Sequence, residues 1–296
     1  MVFVVIGVTS LILGTAMIAL LKIFSPSTGL PFQEKIGVIL INGDITSSRN
    51  ILSQLLAFQK DKDIKAIILR INSPGGSVGP TQEIHRQVQK IAREKKIVAT
   101  MGGIAASGGY YIATAANKIV ANPGTITGSI GVFMQFFQVE DLLDKIGIGL
   151  EILKSGEFKD IGSPHRKMTA KDRELINELI QDIQTQFITA VAKGRNLSLE
   201  EVRKVADGRI FTGSRAKELG LVDSLGNFQD AVELAKKLTG IKGEVVLVYP
   251  KKERPRILDF LIDSASHSLL RLLHEIKPVA EFRWSGFSDF GINETY

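Results

Sequence analysis

Residues 2–21, VFVVIGVTSLILGTAMIALL, carry no charge, and every later apolar stretch is shorter and interrupted. About 20 residues rising ~1.5 Å each span the ~30 Å hydrocarbon core of a bilayer. A cleaved signal peptide has a basic segment before its apolar core and a small-residue cleavage site after it. Here the basic residue, Lys22, follows the run and no such site is evident. The pattern predicts one uncleaved transmembrane anchor over residues 1–24, with its orientation not fixed by charge. SPSTGLPFQEK, residues 25–35, reads as a linker out of the membrane.

Beyond the linker the apolar pattern alternates between two periods. IGVILI (36–41) is a β-branched run closed by the turn signal NGD, and IKAIILRI (64–71) is a second run closed by NSPGGSVG. Between them, residues 49–60 place apolar side chains at helical spacing. PTQEIHRQVQKIAREKK, which follows, is amphipathic, with Ile84, Val88, Ile91 and Ala92 on one face. IVATM (97–101) is a third strand. A long helix is predicted over 170–193, with Thr169 as N-cap and Gly194 just past its end. SLEEV (198–202) resembles a capping box, TGSRAKELGLV a further short helix, and EVVLVY (244–249) a late strand. The stripe Leu258, Leu261, Ile262, Ala265, Leu269, Leu272, Leu273 and Ile276 predicts an amphipathic helix in the tail, 251–296.

Continuous apolar strands with intervening amphipathic helices imply a parallel sheet covered on both faces, with functional loops at the carboxyl ends of the strands. The expected organisation is therefore an anchor (1–24), a linker (25–35), one α/β domain (36–250) and the tail (251–296).

Composition narrows the chemistry. Cysteine is absent, which excludes disulfides, thiol catalysis and cysteine-bound zinc. The four histidines, His85, His165, His267 and His274, show no metal-ligand pattern across the domain, so no metal or cofactor is expected. The net charge of +6 comes without a basic run interleaved with aromatics, so no nucleic-acid partner is expected either.

MGGIAASGGYYIATAA, residues 101–116, sets one serine, Ser107, among glycines between a strand and a helix. A serine is a weak nucleophile until a neighbouring base takes its proton. Acyl transfer also needs N–H donors aimed at the developing oxyanion. Both needs are met by a serine at a helix start with small neighbours, although tight helix–sheet packing uses the same residues. The stretch is not a G-x-S-x-G elbow, because Ala105 stands at the first glycine position. NSPGG supplies further donors at the same sheet edge. Pro74 has no N–H, which leaves Gly75 and Gly76.

As the base, His85 reads as an exposed helix residue, and His165 in the loop GSPHRK is the better histidine. A lysine base must be neutral, which burial achieves. EILKSGEFKDIGSP offers Lys154 and Lys159.

NSPGGSV, GGIAASGGYYIATAANKIVANPGTITGSIGV, SGEFKDIGSPHRKMT and DGRIFTGSRAKELGLVDSLG occur in order from about residue 36 to 238. Together they resemble the signal peptide peptidase A family of serine proteases, in its short single-repeat form. The resemblance implies a crotonase/ClpP-like fold, a repeated ββα superhelix with parallel sheets behind the transmembrane helix. It implies Ser107 as nucleophile, Lys159 as general base and Ser129 as the hydroxyl that orients the lysine. Gly75 and Gly108 would be the oxyanion donors, with Gly75 preferred to Gly76. Val132 stands where ClpP-type enzymes carry a histidine, which favours lysine. The implied activity is endopeptidase cleavage of remnant signal peptides and other small or unfolded peptides. It would take place on the extracytoplasmic side of the cell membrane, in a homo-oligomeric ring whose dyads join neighbouring chains. The competing readings are a crotonase-like acyl-CoA enzyme and an inactive membrane scaffold.

Overall fold

The computed structural model describes residues 14, 15, 17, 34–250 and 280–283. Among them no helix is long and apolar enough to cross a membrane. The anchor expected over 2–21 lies outside the described residues except at the three helical positions 14, 15 and 17, and the tail helix lies wholly outside them.

The domain is built on β1 (Lys35–Asn42), β2 (Ile64–Ser73) and β4 (Lys96–Ala106), which run parallel and adjacent in the order β1, β2, β4. Their side chains alternate between two cores, as the period of a strand requires. Ile39, Ile41, Ile67, Leu69, Ile71, Ile97, Ala99 and Met101 face one core. Ile36, Val38, Ala66, Ile68 and Val98 face the other. Helices α1 (Arg49–Lys60) and α2 (Val78–Ile91) close the first core with Leu55, Phe58, Ile84, Val88 and Ile91. Helix α8 (Phe228–Thr239) closes the second with Ala231, Val232 and Ala235. Both faces are thus covered, as continuous apolar strands demand.

Strand β4 is longer than its apolar run. Its first half pairs in parallel with β5 (Lys118–Ala121), and its last residues, Ile104–Ala106, pair with β6 (Ile126–Gly128). The segment GGIAA is therefore strand. Gly102 makes the crossing possible, because a Cβ there would meet the Asn72 side chain at 3.0 Å, and Asn72 Oδ1 accepts from the Ile104 N–H. Strand β7 (Ile210–Thr212) adds antiparallel to β6, β8 (Ser224–Leu225) pairs with β5, and β9 (Val246–Val248) pairs with β1. The short strand β3 (Gly75–Ser77) stands off this sheet and pairs with β10 (Glu281–Arg283).

Helix α3 (Gly108–Ala113) follows β4 directly, and α4 (Glu140–Lys145) opens the segment leading to α5 (Ala170–Arg195). The Thr169–Asp172 capping box is present, and so is that of Ser198–Glu201 at α6 (Leu199–Arg203). Gly194 lies inside α5 rather than beyond it; the left-handed cap is Asn196. A Cβ on Gly194 would meet the Thr114 carbonyl oxygen at 2.2 Å, so the glycine serves the close crossing of α5 over the end of α3. Helix α7 (Gly213–Glu218) forms where TGSRAKE predicts it.

Candidate active site

Ser107 is the residue between β4 and α3, at φ 51° and ψ −114°. A non-glycine residue held there carries about 1–3 kcal/mol of backbone strain, which persists only where surrounding structure enforces it. The enforcement is visible: the Ser107 N–H donates to the Gly128 carbonyl at 2.8 Å, and the Ser107 carbonyl accepts from Tyr111. The side chain is 1 % exposed and its Oγ has no hydrogen-bond partner among the described residues. Leaving a buried hydroxyl unpaired costs about 1–3 kcal/mol. Strain and an unpaired hydroxyl at one residue mark it as a site rather than packing.

Ser129 is its mirror on the next strand. Ala106 pairs with Gly128, so the two serines leave adjacent parallel strands at the same level. Ser129 is also in the left-handed region, at φ 50°, held by its N–H to the Arg209 carbonyl. Sequence separates the pair by a whole strand–loop–strand unit, and parallel pairing of β4 with β6 brings them together.

Gly75 and Gly108 also meet. A Cβ on Gly75, where φ is 112°, would lie 2.7 Å from the Gly108 nitrogen. The Gly75 N–H itself donates to Ser73 Oγ at 3.1 Å, and Ser73 Oγ donates on to the Gly43 carbonyl. Gly76 faces the other way along the chain: it sits opposite Phe282 in the β3–β10 pair. In an antiparallel ladder, hydrogen-bonded pairs alternate with non-bonded ones. The Val78 N–H bonds the Ala280 carbonyl, so Gly76 and Phe282 form the next bonded pair, which aims the Gly76 N–H at the Phe282 carbonyl.

Around this backbone lies an aromatic pocket. Phe282 is fully buried, stacked on Tyr111 at 5.1 Å and tilted against Phe187 at 4.7 Å. His85 also packs against Tyr111, tilted at 4.7 Å. It is half-buried rather than exposed, and burial lowers its pKa to about 4. Thr81, also on α2, is buried with an unpartnered hydroxyl that a Cβ on Gly108 would meet at 3.0 Å. Thr81, Ser73 and the Tyr111–Phe187 pocket carry no sequence signal that sets them apart from ordinary core positions.

The depressed His85 pKa has a measurable consequence. The unfolded chain takes up a proton near pH 6.5 and the folded chain only near pH 4, so stability is lost as pH falls through that interval. Between pH 7 and 5 the loss expected from His85 is about 2 kcal/mol. Urea unfolding at the two pH values checks it; His85→Gln should flatten the difference, and an unchanged pH dependence in that variant would refute it.

The lysines are placed differently. Lys154 Nζ is paired with Asp160 at 2.7 Å and also donates to the Glu157 carbonyl. Lys159 is exposed, and no hydrogen bond or ion pair of its side chain is found among the described residues. It does not reach Ser107 Oγ within the chain. Its loop is nevertheless fixed. Arg166 grips Asp160 with two N–H groups at 2.9 Å and also bonds Asp172, the N3 residue of α5. The Arg166 and Lys154 hydrogen bonds hold the Asp160 carboxyl well below the usual carboxylate range. His165 is exposed in the same loop, and Val132 is half-buried beside the main core. Among the described residues no cluster of His, Asp or Glu could hold a metal ion.

The arrangement is a strained, buried serine beside backbone N–H groups and a buried aromatic cluster. The chain matches the family model for peptidase family S49 over residues 89–242, and the Clp protease model over 32–125. A Synechocystis sp. protein, named provisionally as a protease, is 43 % identical over 72 % of this chain and 78 % of its own length. An Enterococcus faecium relative named for signal peptide peptidase SppA is 39 % identical over 81 % of this chain and 71 % of its own. Protease 4 of Salmonella typhi is 39 % identical over 79 % of this chain but 37 % of its own length. With a mostly parallel α/β sheet, these matches make the chain a protease, and it belongs to peptidase family S49, the signal peptide peptidase A family.

Proposed function

We propose that the protein is a membrane-anchored serine endopeptidase in which Ser107 is the nucleophile and Lys159 of a neighbouring copy is its base. The observation that carries the reading is the Ser107 side chain: buried, strained and unpaired, next to Ser129 and the Gly108 N–H. Two further features support a base supplied by a neighbour. Lys159 is exposed on a clamped loop, and the segment before it exposes Leu142, Ile146, Ile148, Leu150, Ile152, Leu153 and Phe158. A concentration of exposed apolar side chains in one segment is what a protein interface covers.

In the mechanism, Lys159 accepts the Ser107 proton as Oγ bonds the peptide carbonyl carbon. Backbone N–H groups of Gly108 and Gly75 hold the oxyanion, the Gly75 N–H turning from Ser73 Oγ to do so. The C–N bond breaks, the amine leaves with the proton from Lys159, and water then releases the acyl group from Ser107. Ser129 keeps the lysine amine in line. No cofactor or metal enters these steps.

The proposed organisation is an anchor at 1–24, a linker at 25–35, a crotonase/ClpP-like superhelical domain at 36–250 and a tail at 251–296. The substrates are remnant signal peptides and other small or unfolded peptides, met on the extracytoplasmic side of the membrane by a homo-oligomeric ring.

A fluorophosphonate probe tests the chemistry on the detergent-solubilised full chain. Ser107 labels and Ser107→Ala does not. Labelling that is absent from every form, or undiminished in Ser107→Ala, overturns the reading in favour of an acyl-CoA enzyme or an inactive scaffold.

A further inference from the structure

Five buried side-chain atoms have no hydrogen-bond partner among the described residues, and two of them adjoin Gly108. Ser107 Oγ is one, through the chain. Thr81 Oγ1 is the other, through space: it lies 3.0 Å from the point where a Cβ on Gly108 would stand. Thr81 is fully buried, in the first turn of α2, and it comes to Gly108 because α2 packs on α3.

A helical threonine ordinarily has an acceptor at hand. Its branched side chain has few rotamers, and one of them lets Oγ1 donate to the carbonyl four residues back. Thr185, Thr189 and Thr239 do so, bonding the carbonyls of Gln181, Thr185 and Ala235 at 2.8, 2.7 and 2.8 Å. For Thr81 that carbonyl belongs to Ser77, and the bond is not made. The hydroxyl lies against Gly108 instead, dry and unpaired. That state is costly, and a valine of the same shape would avoid it.

Gly108 is glycine for room, since its φ is not positive. A Cβ there would meet Thr81 Oγ1 and would stand 3.2 Å from Gly75 Cα. The β3 turn, α2 and α3 thus close on one small space beside the Gly108 N–H. A donor idle at that place is idle only until an acceptor enters. In acyl transfer the entering acceptor is the carbonyl oxygen that becomes negative. A hydrogen bond absent from the resting enzyme and made to that oxygen lowers the barrier rather than tightening the ground state.

We propose that Thr81 is a further catalytic residue, whose Oγ1–H donates to the oxygen of the reacting peptide carbonyl beside the Gly108 N–H. The proton stays on Oγ1 throughout: the hydrogen bond strengthens as charge builds on the oxygen and relaxes when the C–N bond breaks. This rests on the serine-peptidase reading above.

The test uses the full chain in detergent, with hydrolysis of unfolded casein, fluorophosphonate labelling of Ser107 and urea unfolding read together. Thr81→Val keeps the branched shape and removes the hydroxyl. Its kcat should fall about 10²-fold with KM within about twofold, and its labelling rate should fall as well. Its urea midpoint should be no lower than that of the wild type, because no hydrogen bond of the resting enzyme is lost. Thr81→Ser restores the hydroxyl and should keep kcat within about threefold of wild type. Thr81→Ala also lacks the hydroxyl; it should repeat the loss in kcat, and it keeps the test open if Thr81→Val is poorly folded. Wild-type kcat in Thr81→Val or Thr81→Ala, or a loss in Thr81→Ser as large as theirs, overturns the inference while leaving Ser107 the nucleophile. A wild type that neither labels nor hydrolyses casein overturns the peptidase reading beneath it.

Discussion

Ser107→Ala and Lys159→Ala should each lose about 10⁴-fold or more in kcat, and the double variant should be no worse, because nucleophile and base act as one unit. Lys159 is exposed, so its substitution should leave stability within ~0.5 kcal/mol of wild type, and unfolding is no explanation for the loss. The informative experiment is the mixture. If each site joins Ser107 of one copy to Lys159 of the next, random co-assembly of the two inactive chains pairs an intact serine with an intact lysine at about a quarter of the sites. Co-expressed chains should then recover about a quarter of wild-type peptide hydrolysis, whereas a dyad closed within one chain gives no recovery at any ratio. The unpaired Ser107 Oγ motivates the first outcome. Activity of the mixture no higher than that of either variant alone would sink the shared dyad.

Gly75→Ala should cost about 10²-fold or more in kcat/KM, through two effects at one atom. The added methyl falls 1.9 Å from the Phe282 carbonyl oxygen and 2.7 Å from the Gly108 nitrogen, a proposed oxyanion donor. It either excludes the peptide or pushes an oxyanion donor aside. At φ 112° an alanine is also strained. The matched control is Gly79→Ala, four residues along. There a Cβ meets nothing within 4 Å, and a helical alanine is favoured by up to about 1 kcal/mol, so activity should be unchanged. Peptide hydrolysis by the two variants, with urea midpoints alongside, decides the matter. Wild-type kcat/KM in Gly75→Ala would remove Gly75 and Gly108 as oxyanion donors.

The alternation of apolar runs and amphipathic helices is enough to expect a parallel sheet covered on both faces, because β1, β2 and β4 are buried on both sides. The capping boxes at Thr169 and Ser198 are legible because the partners lie three residues apart. Long-range geometry is less legible. Gly102 and Gly103 read as the start of a loop, yet the strand continues to Ala106, because β6, some twenty residues on, pairs with its end. Gly194 reads as a helix stop, yet it lies within α5, because its lack of a Cβ admits Thr114. His85 reads as exposed because nothing in its own helix reveals Tyr111. The site was visible as a serine among glycines, but the backbone strain at Ser107 and Ser129 comes from pairing that no local pattern encodes. Nor does AEFR show strand periodicity, since four residues are too few to carry one.

The pairing of residues 281–283 between β3 and Phe133 sets a conformational requirement on any chain that would replace them. A guest there is bonded along both edges, as Glu281 is on one side and Phe282 on the other. Such bonding demands a stretch of about four residues with every amide free and the chain extended. A helix has already used its amides internally, and a strand inside a folded domain has spent them on its neighbours. A helical segment would have to unwind before it could take the place of residues 280–283 there.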